Sequence, residues 1–166
     1  CWLQYCCAYS YGDHYCSLEI NMRKVEASII IDKPPSLVMS VFTEFIHLRN
    51  WWNVERALID LQKGGVYTLV WGISGQGMNY VSTGIIGEYL RECQLRIDQW
   101  LYLNPKRPIL GPMELLIMTT PENGKTVLTI IQSGYQQGED WNWYYEAVKQ
   151  AWPQLITVIK DYAERQ

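Results

Sequence analysis

Beyond residue 21 one histidine and one cysteine, His47 and Cys93, are the side chains best suited to act as a base or a nucleophile. Either would need a partner within hydrogen-bond reach. His47 falls in a helical stretch and Cys93 in a turn between strands, and no spacing brings them together. The carboxylates Glu88, Asp98 and Glu114 lie in strand-like runs beside aromatic residues. Strand side chains alternate, so if Trp100 and Tyr102 face an interior, Asp98 does too. There it would hydrogen-bond a ligand or act as a base with a raised pKa. The opposite parity sends Leu95, Ile97 and Leu101 inward and leaves Asp98 in solvent. Both parities stay open at this point. The glycine-rich G-I-S-G-Q-G of residues 72–77 lacks the Lys-Ser/Thr and the following helix of a phosphate loop. No serine sits in a G-x-S-x-G elbow.

Metal chemistry is no better supported. Four of the five cysteines, Cys1, Cys6, Cys7 and Cys16, fall in the first sixteen residues, with His14 two places before Cys16. The spacing is not C-x-x-C, and adjacent Cys6 and Cys7 share a tetrahedral ion poorly, so neither metal nor cofactor is expected.

Rings are what the chain has in quantity: eight Trp and twelve Tyr against two Phe. Trp and Tyr carry a polar edge on an apolar body, which suits a cavity wall as well as a core. Trp71, Tyr80, Trp100, Tyr102, Met113, Tyr135 and Trp152 come from successive predicted strands and the terminal helix. With Asp98 they are the candidate ligand-contacting residues, since small-molecule sites are mostly apolar with a few convergent polar groups. A tightly packed core would use the same residue types.

The elements that would position them follow from periodicity. Trp141, Tyr145, Val148, Trp152, Leu155, Ile159 and Tyr162 form one helical stripe, with Glu146, Gln150, Gln154, Thr157 and Asp161 opposite. Pro153 should bend this closing helix. Val25–Ile31 reads as a strand that stops at Asp32-Lys33-Pro34-Pro35. Ser36 can cap a helix with Val38, Val41, Phe42 and Phe45 on one face, and a short helical turn from Ile46 to Trp51 follows. Strands are expected at Val54–Leu61, Val66–Trp71, Met78–Tyr89, Leu95–Leu103, Met113–Thr120 and Thr126–Ser133. Lys63-Gly64-Gly65 and P-E-N-G-K mark turns, and the proline-rich 104–112 marks a loop. The order β-α-α-β-β-β-β-β-β-α with short turns gives an α+β class with an antiparallel sheet.

A chain of 166 residues with 48% hydrophobic and 19% charged residues suits one domain with a real core. Residues 1–21 carry no pattern continuous with the sheet and read as an extension outside the fold, with the domain at 22–166. A net charge of −3, without a Lys/Arg cluster, gives no footprint for nucleic acid. No apolar run reaches the ~20 residues of a membrane span. The cysteines do not spread through the body as disulfides would, so a reduced, cytoplasmic setting is expected.

The motifs in sequence resemble a known superfamily. Pro34-x-x-x-Val38 and Phe42-Thr43 precede Trp51-Trp52, followed by Gly64-Gly65-Val66-Tyr67 and Gly84-x-Ile86-x-Glu88. Thr126-Val127-Leu128, Ser133-Gly134-Tyr135, and Trp152 with Leu155 complete the set. Over about residues 23–164 the chain is similar to the START-like (SRPBCC) superfamily, and within it resembles homologues of the heat shock protein 90 ATPase activator. Pro153 and the long N-P-K-R-P-I-L-G-P stretch depart from that pattern, and the latter could lid a cavity opening. The resemblance implies a helix-grip fold: a curved antiparallel sheet wrapped around a long C-terminal helix, two short helices after the first strand, and a pocket between sheet and helix. It implies a module that holds a hydrophobic small molecule, and the ring-rich set Trp71, Tyr80, Trp100, Tyr102 and Trp152 makes an aromatic one the expectation. The alternatives it leaves open are a chaperone-linked or other protein-interaction domain, and a cyclase or dehydratase using cavity carboxylates.

Overall fold

The structure, a computed structural model, describes residues 23–166. The expected extension at 1–21, and with it the cysteines and His14 weighed for metal, lie outside the described residues. From Lys24 onward the alternation of large apolar and polar residues builds seven strands, each with one face suited to burial. These are β1 (Lys24–Ile31), β2 (Arg56–Ile59), β3 (Val66–Ser74), β4 (Gly77–Leu90), β5 (Gln94–Leu103), β6 (Leu110–Glu122) and β7 (Lys125–Ser133). They form one antiparallel sheet in the order β1-β7-β6-β5-β4-β3-β2. Successive hairpins give every pairing except β1 with β7. β2 is shorter than the periodicity suggested. β6 starts three residues earlier than expected, because Leu110 pairs opposite Tyr102.

Two short helices, α1 (Pro35–Thr43) and α2 (Phe45–Trp52), follow β1. Pro35 takes the first helical position, where a missing N–H costs nothing, so the helix starts one residue before Ser36 and without a side-chain cap. Aromatic donors serve the carbonyls that the helix ends leave without partners. Trp51 Nε1 donates to the Val41 carbonyl at 3.0 Å, and the Tyr67 hydroxyl donates to Phe42 at 2.7 Å. Trp71 Nε1 donates to the Trp52 carbonyl at 3.0 Å. Each donor thus fixes a helix end and its own ring.

β5 resolves the question of parity with one extra residue. Leu95 and Ile97 face inward, and so do Trp100 and Tyr102. The pairing with β6 jumps between Ile97 and Trp100, and Gln99 has φ 51°. This is a β-bulge, which resets the alternation along a strand. Gly84 on β4 makes room for it: a Cβ there would lie 2.6 Å from Ile97 Cγ2 and 2.9 Å from the Asp98 carbonyl oxygen.

The closing helix α3 (Glu139–Glu164) starts at Gly138 and carries Glu139 and Asp140 in its first turn, where acids suit the helix dipole. Tyr144, Val148, Trp152, Ile156, Ile159, Tyr162 and Ala163 are its buried residues. The stripe is therefore rotated slightly from the expected one: Tyr144 takes the inner place, while Trp141, Tyr145 and Leu155 flank it. Pro153 lies within one unbroken helical segment, on the exposed side, where the Lys149 carbonyl it leaves free can bond water. At the far end Lys160 Nζ donates to the Ile30 carbonyl at 2.6 Å, and Glu164 accepts the Asp32 backbone N–H at 2.8 Å. The fold is α+β, a sheet gripping its terminal helix.

Candidate functional site

The inner ends of β3, β4 and β5 bring rings together by register. Trp71 and Tyr80 are cross-strand partners with centroids 5.3 Å apart, and Tyr80 lies 6.4 Å from Tyr102. Tyr102 reaches Tyr144 of α3 at 4.7 Å. Trp52, the last residue of α2, meets Trp71 at 5.1 Å and Trp152 at 5.8 Å. This belt, with Trp100 below it, encloses a cleft of about 180 Å³ between sheet and α3. Val148, Ala151 and Leu155 complete the helix wall.

Two polar side chains face the same space. Ser82 is the cross-strand partner of Tyr102. Gln132 lies on the inner face of β7 and is 2% exposed. Its Oε1 accepts the Trp152 indole N–H at 3.1 Å, and its Nε2 donates to the Tyr144 hydroxyl at 3.3 Å and towards Met113 Sδ at 3.6 Å. A buried amide is tolerated because each of its atoms is engaged. Burial pushes the Tyr144 hydroxyl up to about 12.

A strap crosses from the β5–β6 loop to the start of α3. The Arg107 guanidinium lies 3.7 Å over the Trp143 ring and pairs with Asp140 at 3.0 Å. Asn104 Nδ2 donates to the Tyr102 hydroxyl at 3.1 Å, tying the same loop to the cleft wall. Trp143 is 39% exposed and its ring lies 6.3 Å from Tyr102. Tyr80 borders both the cleft and an outer, more polar hollow between the β3–β4 and β5–β6 turns.

Of the residues singled out from sequence, Trp71, Tyr80, Trp100, Tyr102 and Trp152 line the cleft. Met113 is buried behind Gln132, touching it through sulfur. Tyr135 packs on Trp141, Tyr144 and Tyr145 without lining the cleft, and its buried hydroxyl has no hydrogen-bond partner among the described residues. Asp98 is elsewhere. The bulge turns it to the outer face, where it accepts from Arg96 Nε at 2.9 Å and sits over Gly87. Its carboxylate holds the Arg96 guanidinium above its usual range, with Glu114 and Glu88 adding to the effect. The three carboxylates weighed for catalysis thus share the face away from the cleft. His47 Nδ1 is 2.8 Å from the Tyr162 hydroxyl, and Cys93 is exposed in the β4–β5 turn. Among the described residues no three His, Cys, Asp or Glu side chains are placed to hold a metal.

Trp52, Ser82, Gln132 and Tyr144 were not foreseen. Gln132 carried a signal, since it continues the inward parity of Leu128 and Ile130. Ser82 and Tyr144 depended on the register of β4 and the rotation of α3.

The fold and this sheet–helix cleft define a START-like domain. Residues 32–164 match the family described as Activator of Hsp90 ATPase homolog 1-like protein, and the chain belongs to that family. Among solved structures it is similar to protein MLL2253 from Mesorhizobium loti, at 18% identity and TM-score 0.68, covering 87% of this chain and 98% of that one. It is similar to the Aha1 dimer from Colwellia psychrerythraea at 15% identity and TM-score 0.63, covering 86% and 97%. Protein NE0264 from Nitrosomonas europaea matches at 20% identity and TM-score 0.63, covering 86% and 94%. These likenesses establish the fold. No curated protein matches the chain. Among the described residues no helix is long and apolar enough to cross a membrane.

Proposed function

We propose that this domain binds a small, uncharged aromatic molecule in the cleft between β3–β5, β7 and α3. The observation that carries the reading is the wall itself: a belt of Trp and Tyr rings joined by the polar side chains of Ser82 and Gln132, with no acid, lysine, arginine or histidine among the described residues that line it. Such a wall stacks on a ring and cannot offset a buried charge. Size narrows the ligand. An apolar cavity of about 150 Å³ takes one benzene ring, whereas sites for drug-sized ligands run to about 300–1,000 Å³. A cleft of about 180 Å³ suits one ring, or two fused rings at most. The test is a titration with naphthalene, indole and toluene, following tryptophan fluorescence in the wild type and in Trp100→Ala and Tyr102→Ala. Saturable quenching that weakens in both variants supports the reading; quenching that never saturates counts against it.

A second reading has its own support. Family membership and the likeness to an Aha1 protein fit a chaperone-linked interaction domain, and the partly exposed Trp143 offers an aromatic contact outside the cleft. Binding to a chaperone of the heat shock protein 90 class that is lost in Trp143→Ala, with the cleft variants unaffected, would favour it.

A further inference from the structure

Several polar groups among the residues that line the cleft are already committed to the protein. The Trp71 and Trp152 indole N–H groups donate to the Trp52 carbonyl and to Gln132 Oε1. Gln132 Nε2 directs its protons at the Tyr144 oxygen and Met113 Sδ. An amide nitrogen can only donate, so Tyr144 accepts in that contact and keeps its own proton for another partner. The nearby Tyr135 hydroxyl is not that partner, since it makes no hydrogen bond among the described residues. Tyr144 is 7% exposed, lines the cleft, and its ring is fixed by Tyr102 at 4.7 Å and Trp143 at 6.3 Å. A buried, oriented donor that is itself held by a second hydrogen bond is how an apolar site acquires chemical preference.

We infer that Tyr144 is a specificity-determining residue of the cleft, donating its hydroxyl proton to an oxygen acceptor on an uncharged ring, so that the site prefers aryl ketones and aldehydes over carboxylates. The inference rests on the cleft being a binding site. A carboxylate would also accept the proton, but it would enter a wall that offers no cation among the described residues and lose its hydration.

The experiment uses three probes of similar shape: acetophenone, ethylbenzene and benzoate. Their affinities are measured by calorimetry or by competition in the wild type and in Tyr144→Phe. Ethylbenzene is the more apolar, so the informative quantity is how each affinity changes on substitution. Acetophenone should weaken about five- to tenfold in Tyr144→Phe, the scale of one net hydrogen bond, while ethylbenzene stays within about twofold. Benzoate should bind at least about tenfold more weakly than acetophenone in the wild type. If acetophenone and ethylbenzene bind but change alike, or benzoate binds as well as the ketone, Tyr144 does not select the ligand and the inference is overturned while cleft binding stands. If none of the three binds, the binding reading itself fails and the inference with it. A direct readout covers the case in which Tyr144→Phe folds poorly. The carbonyl stretch of acetophenone bound to the wild type should lie below its position in hexane, and an unshifted band would overturn the inference.

Discussion

Trp152→Ala should destabilise the domain by about 3–5 kcal/mol, the usual scale for removing a large buried aromatic. The figure can be built from the structure. Trp152 is 4% exposed, and burying an aromatic of its size removes about 150–250 Å² from water, worth about 4–6 kcal/mol at ~25 cal/mol per Å² as an upper bound. Two local features act in opposite directions. The cleft already deprives one side of the ring of partner atoms, so fewer contacts are lost than in a closed core. Against that, Gln132 Oε1 loses its donor, which costs about 1–3 kcal/mol unless water enters from the cleft. Trp152→Phe separates these effects. It keeps most of the ring and loses the N–H, so about 1–3 kcal/mol is expected. The assay is urea unfolding followed by far-ultraviolet circular dichroism, which does not depend on the tryptophan being removed. The midpoint should fall with an unchanged slope. A loss below about 1 kcal/mol for Trp152→Ala would refute the reasoning, because the ring would then be a rim residue and not a wall shared by core and cleft.

Tyr135→Phe should leave stability unchanged or raise it by up to about 1 kcal/mol, since it removes a buried hydroxyl without a partner among the described residues; a loss above about 1 kcal/mol would show that the hydroxyl is satisfied. Alkaline pH should unfold the domain early. Tyr67, Tyr135 and Tyr144 are all raised by burial, so the folded chain keeps protons that unfolded tyrosine gives up near pH 10. Their contribution is therefore full below about pH 10 and falls above it, by up to about 1.4 kcal/mol per pH unit for each tyrosine, until the folded groups ionise. Urea midpoints at pH 8 to 11 measure it, and a flat profile across pH 10 would contradict the burial of these rings. Arg107→Ala should cost little stability, because its pair with Asp140 is partly exposed, yet it should speed exchange of a bound ring by loosening the strap over Trp143. Stopped-flow displacement reads this, and an unchanged rate would mean the strap does not gate the cleft.

The order of elements was legible because seven strand-like runs and three helical faces each carry their own period and turn residues. What escaped lies between elements. A single inserted residue at Asp98–Gln99 reversed the parity on which Asp98 was placed beside Trp100, and a two-residue period has no means of announcing a bulge. The helix stripe was right in kind and rotated in detail. Neighbouring Tyr144 and Tyr145 are equivalent by residue type, and only packing against Tyr102 and Gln132 selects Tyr144 for the interior. Trp71, Tyr80, Trp100, Tyr102 and Trp152 were visible as rings, but their meeting depends on strand register, which sequence leaves loosely specified.

The most direct measurement on the central claim is the set of tryptophan indole N–H resonances during a titration with indole or naphthalene. Trp52, Trp71, Trp100 and Trp152 line the cleft, whereas Trp51 is buried on α2 with its N–H held by Val41, and Trp143 lies outside under Arg107. Binding in the cleft predicts that the first four move along one saturation curve while Trp51 stays in place. Shifts that do not saturate, or that centre on Trp143 with the four unmoved, would contradict a ligand cleft and point to the outer surface as the working face.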